Sequence, residues 1–360
     1  MPNLREQSLM TCAIVVLSVF SLADQIPSPA PEMAAQVVFE DHYPPRQVKF
    51  PSGVKGLPGL MYWQPIGYRP LTLDVYLPPA GLSRPAAGFP LIVHIHGGAW
   101  MMGDSHFGGP FVDFPGVLAS LAARGYVVAS IDYRLSGEAA FPAAAQDVKA
   151  AIRWLRSRAS DYEIDPARAM TWGESAGGHL AGLAAVSCNA QQLEPAQTLT
   201  FAFANTPPYV LPSSEISDCV QGGVTWFGMF DFATIAAQAR EGKSPISRDV
   251  ADAPEWRMLG CFAKECKQGQ IAAASPVTYV DPKNPPLLLV VGAEDKIVPY
   301  HQTLEMAEKL KAAGVPHELM VIPGVDHGFI GKTLQQTREA NLKALDATFR
   351  FFDKTMKNVQ

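Results

Sequence analysis

The chain has 360 residues, of which 48% are hydrophobic and 18% are charged. This length and composition are typical of a globular protein that buries a large core, with room for one enzyme domain and an appended cap. The formal net charge is −5 and the lysines and arginines form no block, which argues against nucleic acid or an anionic membrane as the main partner. After the first 22 residues, no apolar run is long enough for a transmembrane helix.

The first residues are typical of a cleaved export signal. A modest positive charge precedes an apolar run over residues 13–22, which is too short to span a bilayer comfortably. Small residues at Ser21 and Ala23 predict cleavage after Ala23, and an uncleaved N-terminal anchor is the alternative. We therefore expect a signal peptide over residues 1–23, a polar surface segment over 24–52, and a periplasmic or secreted protein.

Short apolar runs alternate with segments of helical periodicity along the rest of the chain. Strands are predicted at residues 71–77, 91–96, 126–133, 169–174, 224–230, 287–291 and 318–322. Helices are predicted at residues 114–123, 143–158, 176–186, 301–313 and 333–352. Strands that alternate with helices after an initial strand pair indicate a mostly parallel sheet covered on both faces.

Two stretches break this alternation. Residues 190–220 are rich in Pro, Ser and Thr, and residues 232–275 are rich in Ala, charged residues and cysteine. Long insertions in a compact sheet protein are commonly lids or binding loops. We therefore expect one main domain over residues 53–355, with cap insertions at about 190–220 and 232–275.

A serine stands where an apolar strand gives way to a helix of small residues, in the sequence GESAGG over residues 173–178. A sharp turn at this place lifts the hydroxyl of Ser175 clear of the sheet. Glycines two residues on either side remove the Cβ atoms that would clash where strand and helix cross. The helix N-terminus also directs free backbone amides at the reacting atom. Ser175 is therefore the predicted nucleophile.

A glycine-rich turn, HGGAW, follows the strand predicted at 91–96. An attacked carbonyl becomes an oxyanion, which requires amide donors held at its future position. The amides of Gly98, Ala99 and Ala176 are the donors that we favour, and Gly97 belongs to the same predicted oxyanion hole. The alternative is that the two glycines only form a tight loop.

An acid and a histidine complete the chain order Ser, Asp, His. Asp295 follows the strand predicted at 287–291, and His327 follows the strand predicted at 318–322. His327 would take the proton of the serine, and Asp295 would hold its tautomer and stabilise the imidazolium. Glu294 and Asp326 are rival carboxylates, although Asp326 adjoins the histidine in sequence and would normally point away from its ring.

Four cysteines remain after removal of the signal, and an even number in an exported chain suggests disulfides. Three connectivities are possible. We favour Cys188 with Cys219 and Cys261 with Cys266, because each bridge would then close one irregular segment; free buried thiols are the alternative. The cysteine and histidine spacings do not resemble a zinc site, and no metal or organic cofactor is implied.

Other side chains near these motifs have simpler interpretations. Trp100 and Met101 are candidates for the substrate pocket, although aromatic and Met residues near a strand end are often only core. His94 alternates with His96 on one strand and is expected to pack under the sheet with a satisfied nitrogen. His179, in the helix after the serine, is expected to be structural.

Taken together, these motifs resemble a bacterial carboxylesterase group that includes feruloyl-esterase-like (BD-FAE-type) enzymes, related to the hormone-sensitive-lipase branch of the α/β-hydrolases. The resemblance lies in HIHGGAW (94–100), SIDYRL with FPAAAQDVKAAIRWLR (130–156), TWGESAGGHLAG (171–182), GAEDKIVPYHQT (292–303) and DHGF (326–329). It implies an α/β-hydrolase fold, with a mostly parallel eight-stranded sheet, helices on both faces and a cap inserted in the second half.

The resemblance also bears on details of the site. The segment LGCFAKEC (259–266) is similar to that group, which supports the local disulfide. Ala99 replaces a glycine that is common in the hormone-sensitive-lipase branch, and Glu174 stands where that branch often has Asp. Ala99 still offers its backbone N–H, so neither departure threatens the chemistry, and both favour the feruloyl-esterase-like group.

The sequence therefore predicts a serine carboxylic-ester hydrolase that acts on a small acyl or aryl ester. An amide hydrolase similar to kynurenine formamidase is one alternative, although an export signal and a large cap are unexpected for it. A non-catalytic binding module on the same fold is another alternative, although such modules usually lack a triad member. The oligomeric state, the physiological ester and the acyl preference are left open.

Overall fold

One sheet organises the chain. The computed structural model describes residues 46–195 and 215–357, and structural statements refer to these ranges. The strands are β1 (Val48–Lys49), β2 (Lys55–Trp63), β3 (Leu71–Leu77), β4 (Phe89–Ile95), β5 (Val127–Ile131), β6 (Ile164–Glu174), β7 (Gly223–Trp226), β8 (Leu287–Gly292) and β9 (His317–Ile322). Their spatial order is β1-β2-β3-β5-β4-β6-β7-β8-β9.

The sheet is mostly parallel. Strands β1, β2, β3 and β5 pair antiparallel at one end, and every pair from β5 through β4 and β6 to β9 is parallel. The parallel strands at the centre are buried along their length, as expected for strands that are covered on both faces. Their carboxyl ends share one edge of the sheet, and the loops that leave that edge are therefore neighbours.

Helices cover both faces. They are α1 (Phe114–Ala122), α2 (Ala143–Ser157), α3 (Ala176–Val186), α4 (Ile235–Glu241), α5 (Pro254–Leu259), α6 (Gln270–Ala274), α7 (His301–Ala312) and α8 (Leu334–Met356). Helices α2, α3 and α7 share a hydrophobic core with Leu91, Val93 and Ile95, whereas α1 and α8 share the other core with Ile92. Because successive side chains of β4 point to opposite faces of the sheet, this strand contributes to both cores.

The fold predicted from the sequence, an α/β-hydrolase sheet with helices on both faces, is confirmed. The described residues form nine strands where eight were expected, because Val48–Lys49 adds a two-residue edge strand. The strand Lys55–Trp63 did not emerge from the sequence pattern, since glycines and a proline interrupt it and its pairing shifts register between Leu57 and Leu60. The strand predicted at 224–230 ends at Trp226, because Phe227 turns the chain with φ 40°.

The first insertion leaves and rejoins the sheet at the amino ends of the parallel strands. Residue 187 follows the end of α3, and Gln221 donates from its N–H to the carbonyl of Ala169 at 2.7 Å, before β7 begins. A disulfide joins Cys188 to Cys219, as expected. The described ends therefore lie at the edge opposite to Ser175 and give a cap in 190–220 no support; residues 196–214 lie outside the described part of the chain.

Buried charges fix the same ends to helix α2. Lys149 donates to Asp218 at 2.9 Å and to the carbonyl of Ser187 at 2.9 Å, and Arg153 pairs with both Asp218 and Glu194. Lys149 and Asp218 are 1% and 2% exposed, so each charge needs its partner. This network, together with the disulfide, anchors both described ends of the first insertion.

The second insertion leaves the sheet at the carboxyl ends of the strands. It follows Trp226, contains α4, α5 and α6, and carries the disulfide Cys261–Cys266, again as expected. Its position at this edge is compatible with the expected cap over residues 232–275, which stays a prediction, as do the domain limits of 53–355. The expected signal peptide over 1–23 lies outside the described residues. Within the described ranges, no helix combines the length and the hydropathy needed to cross a bilayer.

Candidate active site

Ser175 occupies a sharp turn between β6 and α3. Its backbone has φ 54° and ψ −117°, a conformation that costs about 1–3 kcal/mol for a residue with a side chain and is held only by its surroundings. The Ser175 N–H donates to the carbonyl of Trp226 at 2.9 Å, and its own carbonyl accepts the N–H of His179 at 2.9 Å. These bonds fix the turn from the neighbouring strand and from the helix.

The glycines around Ser175 are required by close backbone contacts. A Cβ atom at Gly173 would lie 2.3 Å from the carbonyl oxygen of Gly177, and one at Gly177 would lie 2.0 Å from that of Ile95. Any side chain at either position would therefore push α3 away from the sheet. The sequence interpretation of these glycines agrees with the geometry.

Three side chains come together at the carboxyl edge. His327 Nε2 lies 3.0 Å from Ser175 Oγ, and His327 Nδ1 lies 2.8 Å from Asp295 Oδ2. The other oxygen of Asp295 accepts the N–H groups of Ile297 and Val298, each at 3.0 Å. Since this carboxylate can only accept while ionised, Nδ1 of His327 carries the proton and Nε2 is free to accept the serine proton.

Asp295 is the buried carboxylate of its loop. It is 2% exposed, and burial raises its pKa above the ordinary value, against the opposing effect of the His327 hydrogen bond. The rival Glu294 is exposed. The other rival, Asp326, is also exposed, and one oxygen accepts the backbone N–H of His327 at 2.7 Å rather than a ring nitrogen.

Backbone contacts bring the histidine loop to the acid loop. A Cβ atom at Gly292, the last residue of β8, would lie 2.4 Å from the carbonyl oxygen of Val325, so only glycine permits this approach. The ring of Phe227 packs edge-on against His327, with centroids 4.7 Å apart, and against Phe329, with centroids 4.8 Å apart. Sequence reasoning missed Phe227, because nothing in a short apolar run marks one ring as the support of a distant histidine.

The predicted oxyanion donors separate into two groups. The Gly97 N–H donates to Glu174 Oε1 at 3.1 Å and is therefore engaged within the protein. The N–H groups of Gly98, Ala99 and Ala176 take part in no hydrogen bond within the described residues. These three N–H groups therefore have no protein partner among the described residues, whereas the Gly97 N–H is engaged with Glu174.

The glycine-rich turn is a run of left-handed residues. Gly98, Ala99 and Trp100 have φ values of 103°, 54° and 57°, and the turn closes with the N–H groups of Met101 and Met102 on the carbonyl of Gly98 at 2.9 and 3.1 Å. A Cβ atom at Gly98 would lie 2.1 Å from the Met102 carbonyl oxygen, so glycine is required there.

Trp100, predicted for the substrate pocket, points into the protein. It is 3% exposed, and its indole N–H donates to His179 Nδ1 at 3.2 Å. The other ring nitrogen of His179 donates to the carbonyl of Ala274 in the second insertion at 2.8 Å, and Phe232 packs on both rings. His179 therefore connects the glycine-rich turn to the insertion. Met101, the other predicted pocket residue, is partly exposed.

The insertion also reaches the acid loop. Buried Arg248 pairs with Glu255 through one guanidinium nitrogen and donates to the carbonyl of Ile297 through another. Ile297 in turn donates its N–H to Asp295. Arg248 of the insertion thus supports the loop that contains Asp295.

Family models and curated proteins are both similar to this chain. A family model described as BD-FAE matches residues 73–310, and one described as the dienelactone hydrolase family matches residues 269–356. Esterase LipQ of Mycobacterium tuberculosis is 29% identical over 264 residues, which are 73% of this chain and 55% of LipQ. Ethyl acetate hydrolase of Pseudomonas putida is 28% identical over 77% of each protein. The chain therefore spans about half the length of LipQ and more of the second relative.

A solved structure described as a truncated carbohydrate esterase from gut microbiota is similar along nearly its whole length. It superimposes with a TM-score of 0.66 and 25% identity, and the match covers 85% of this chain and 98% of the other.

The buried histidine beside Trp100 leads to a prediction about pH. Burial lowers the pKa of His179 from 6.5 to about 4. In the unfolded chain His179 takes up a proton below pH 6.5, but in the folded protein it does so only near pH 4. Stability is therefore lost as the pH falls through this window, by roughly 3 kcal/mol from this residue. His179→Gln keeps one donor and one acceptor but cannot titrate.

We expect urea unfolding of His179→Gln to show a smaller loss of stability than wild type between about pH 7.5 and pH 4.5, by roughly 2–3 kcal/mol. His301→Gln, at a partly exposed histidine of α7, serves as the control and should keep the wild-type pH dependence. An equal loss of stability at acid pH in wild type and His179→Gln would contradict the assignment of a neutral His179 that makes two hydrogen bonds.

Proposed function

The chain belongs to the BD-FAE family, and on this premise we propose that it is a serine hydrolase that cleaves carboxylic esters through an acyl-enzyme. The observation that carries the proposal is the continuous line of hydrogen bonds from Asp295 through His327 to the hydroxyl of Ser175. The names of the relatives, an esterase, an ethyl acetate hydrolase and a carbohydrate esterase, point to the same reaction class.

In the first half-reaction, Ser175 Oγ attacks the ester carbonyl and its proton moves to Nε2 of His327. The carbonyl oxygen becomes an oxyanion, which the free N–H groups of Gly98, Ala99 and Ala176 would bind. The imidazolium then protonates the leaving alcohol, and the acyl group stays on the serine. Asp295 stabilises the imidazolium through Nδ1 and remains ionised.

In the second half-reaction, water replaces the alcohol. Nε2 of His327 accepts a proton from the water as it attacks the acyl carbonyl, and the same amides bind the second oxyanion. Collapse of this intermediate returns the proton to Ser175 Oγ and releases the carboxylic acid. In each half-reaction His327 acts first as a base and then as an acid.

We propose small acyl or aryl esters as the substrate class. The relatives are named for ethyl acetate and for carbohydrate esters, both of which allow a small acyl group.

We also propose that the protein works outside the cytoplasm, in the periplasm or after secretion. Two disulfides, Cys188–Cys219 and Cys261–Cys266, support an oxidising compartment. The export signal expected over residues 1–23 is consistent with this location.

One prediction concerns the nucleophile. We expect the wild-type protein to hydrolyse p-nitrophenyl acetate and butyrate and to react with a fluorophosphonate probe at Ser175. Ser175→Ala should lose probe labelling and retain less than roughly 10⁻⁴ of the wild-type kcat. Ser160→Ala, at an exposed serine beyond α2, is the control and should leave both unchanged.

Mass spectrometry of the labelled peptide and initial rates check this outcome. A folded wild type that is unlabelled and hydrolyses no ester would overturn the hydrolase assignment and favour a binding module. Cleavage of N-formyl aryl amides in preference to every ester would favour the amide-hydrolase alternative instead.

A further prediction distinguishes the roles of the neighbouring carboxylates Asp295 and Asp326. Asp295→Asn preserves the shape of the acid but presents an amide N–H to His327 Nδ1, which favours the wrong tautomer and should lower kcat by about 10⁴. Asp326→Asn preserves the oxygen that accepts the His327 N–H and should cost less than about tenfold. Steady-state kinetics on one ester decide between them, and equal losses in the two variants would show that Asp295 has no special role.

A further inference from the structure

The acid immediately before the nucleophile lies beneath the oxyanion turn. Glu174 is 3% exposed at the end of β6. Its Oε1 accepts the N–H of Gly97 at 3.1 Å, and its Oε2 lies 3.0 Å from Nε2 of His94. The proposed mechanism gives no role to this carboxyl group, whose burial is costly unless it is hydrogen-bonded.

The hydrogen bonds around His94 determine how many protons the pair holds. The hydroxyl of Ser130 donates its single proton to the carbonyl of Ser105 at 2.6 Å, so it can only accept from His94 Nδ1, which lies 3.0 Å away. Nδ1 of His94 therefore carries a proton. The contact between His94 Nε2 and Glu174 Oε2 needs a second proton. If this proton is on Nε2, the pair is an imidazolium and a carboxylate; if it is on Oε2, the pair is a neutral imidazole and a carboxylic acid.

Both arrangements give the pair a net charge of zero. The rings of Phe114 and Trp172 pack on His94, with centroids 4.6 and 5.1 Å away, so the pair lies in apolar surroundings. A lone carboxylate here would oppose the negative charge that develops on the nearby substrate oxygen, because charges interact strongly away from water. The shared proton of His94 and Glu174 removes this conflict.

The same carboxyl group joins the two loops that must face each other in the reaction. Glu174 precedes Ser175, and through Oε1 it holds Gly97, the residue before Gly98 and Ala99. A Cβ atom at Gly97 would lie 2.9 Å from the Glu174 carbonyl oxygen and 3.5 Å from Ser175 Cβ, which shows how closely the turn lies against the nucleophile. A shift of Glu174 would therefore move the oxyanion donors relative to Ser175 Oγ.

We propose that Glu174, paired with His94, is a positioning residue that fixes the oxyanion turn against the nucleophile turn through the Gly97 N–H. The inference rests on the proposed function, because it assumes an oxyanion bound by Gly98, Ala99 and Ala176. It also gives a physical reason for glutamate at this position: aspartate is shorter by one C–C bond, about 1.5 Å, and could not reach both His94 and Gly97.

Two substitutions distinguish the length of the Glu174 side chain from its charge. Glu174→Gln retains an oxygen for the Gly97 N–H and offers an amide N–H to a neutral His94, so both hydrogen bonds and the net charge of zero survive. Glu174→Asp retains the carboxyl group but loses its reach. We expect Glu174→Gln to keep kcat within about threefold of wild type, and Glu174→Asp to lose roughly 10²-fold in kcat with KM within about twofold.

A trifluoromethyl ketone provides a second readout, since its adduct with the serine carries an oxyanion in the same place. Its inhibition constant should rise in Glu174→Asp in proportion to the fall in kcat/KM and stay near the wild-type value in Glu174→Gln. Asp218→Asn is the matched control, a buried acid changed to its amide at the opposite edge of the sheet, and its kcat and inhibition constant should stay at wild-type values even if its melting temperature falls.

Circular dichroism and thermal melts show whether each variant is folded. A folded Glu174→Gln that loses more than tenfold in kcat, or a folded Glu174→Asp that keeps wild-type kcat, overturns the positioning role while Ser175-dependent hydrolysis by the wild type leaves the proposed function intact. If Glu174→Asp does not fold, the Gln variant alone decides, because retained kcat supports the inference and a large loss contradicts it. Absence of Ser175-dependent hydrolysis in the wild type would instead be a failure of the proposed function.

Discussion

The left-handed backbone at Ser175 is the constraint on which the rest of the structure depends. A strand can pass into a helix within one residue only if strand and helix nearly touch, and Gly173 and Gly177 permit contacts that any Cβ would forbid. Two backbone hydrogen bonds, from Ser175 to Trp226 and from His179 to Ser175, offset the strain. The turn places a hydroxyl at the carboxyl edge and directs α3 back along the sheet.

The second insertion contacts the candidate site from two sides. Through Ala274 it binds His179, which in turn binds Trp100 in the glycine-rich turn. Through Arg248 it binds Ile297 in the loop of the buried acid. Neither contact involves a reacting atom, yet each fixes the backbone beside one. The first insertion differs, because its described ends are anchored by buried charges and a disulfide at the opposite edge.

Local patterns predicted much of this arrangement. Buried apolar runs, helical periodicity and glycine-rich turns each have a direct backbone cause, so the sheet, most helix ends, both disulfide pairings and the identities of the three converging side chains could be anticipated. Contacts between distant segments could not. Nothing local shows that Phe227 supports His327, that Gly97 donates to Glu174 rather than to a ligand, or that Trp100 turns inward. The strand Lys55–Trp63 was also missed, because its interrupted pattern is stabilised by its neighbours rather than by its own sequence.

The proposed reaction requires one hydroxyl, one imidazole and three free amides to converge, and a crystal structure of the protein after reaction with paraoxon tests this requirement most directly. Phosphorus should be bonded to Ser175 Oγ, with its unsubstituted oxygen about 3 Å from the nitrogens of Gly98, Ala99 and Ala176. The Gly97 N–H should remain on Glu174. Phosphorus on another side chain, or an oxygen directed away from this turn, would contradict the account.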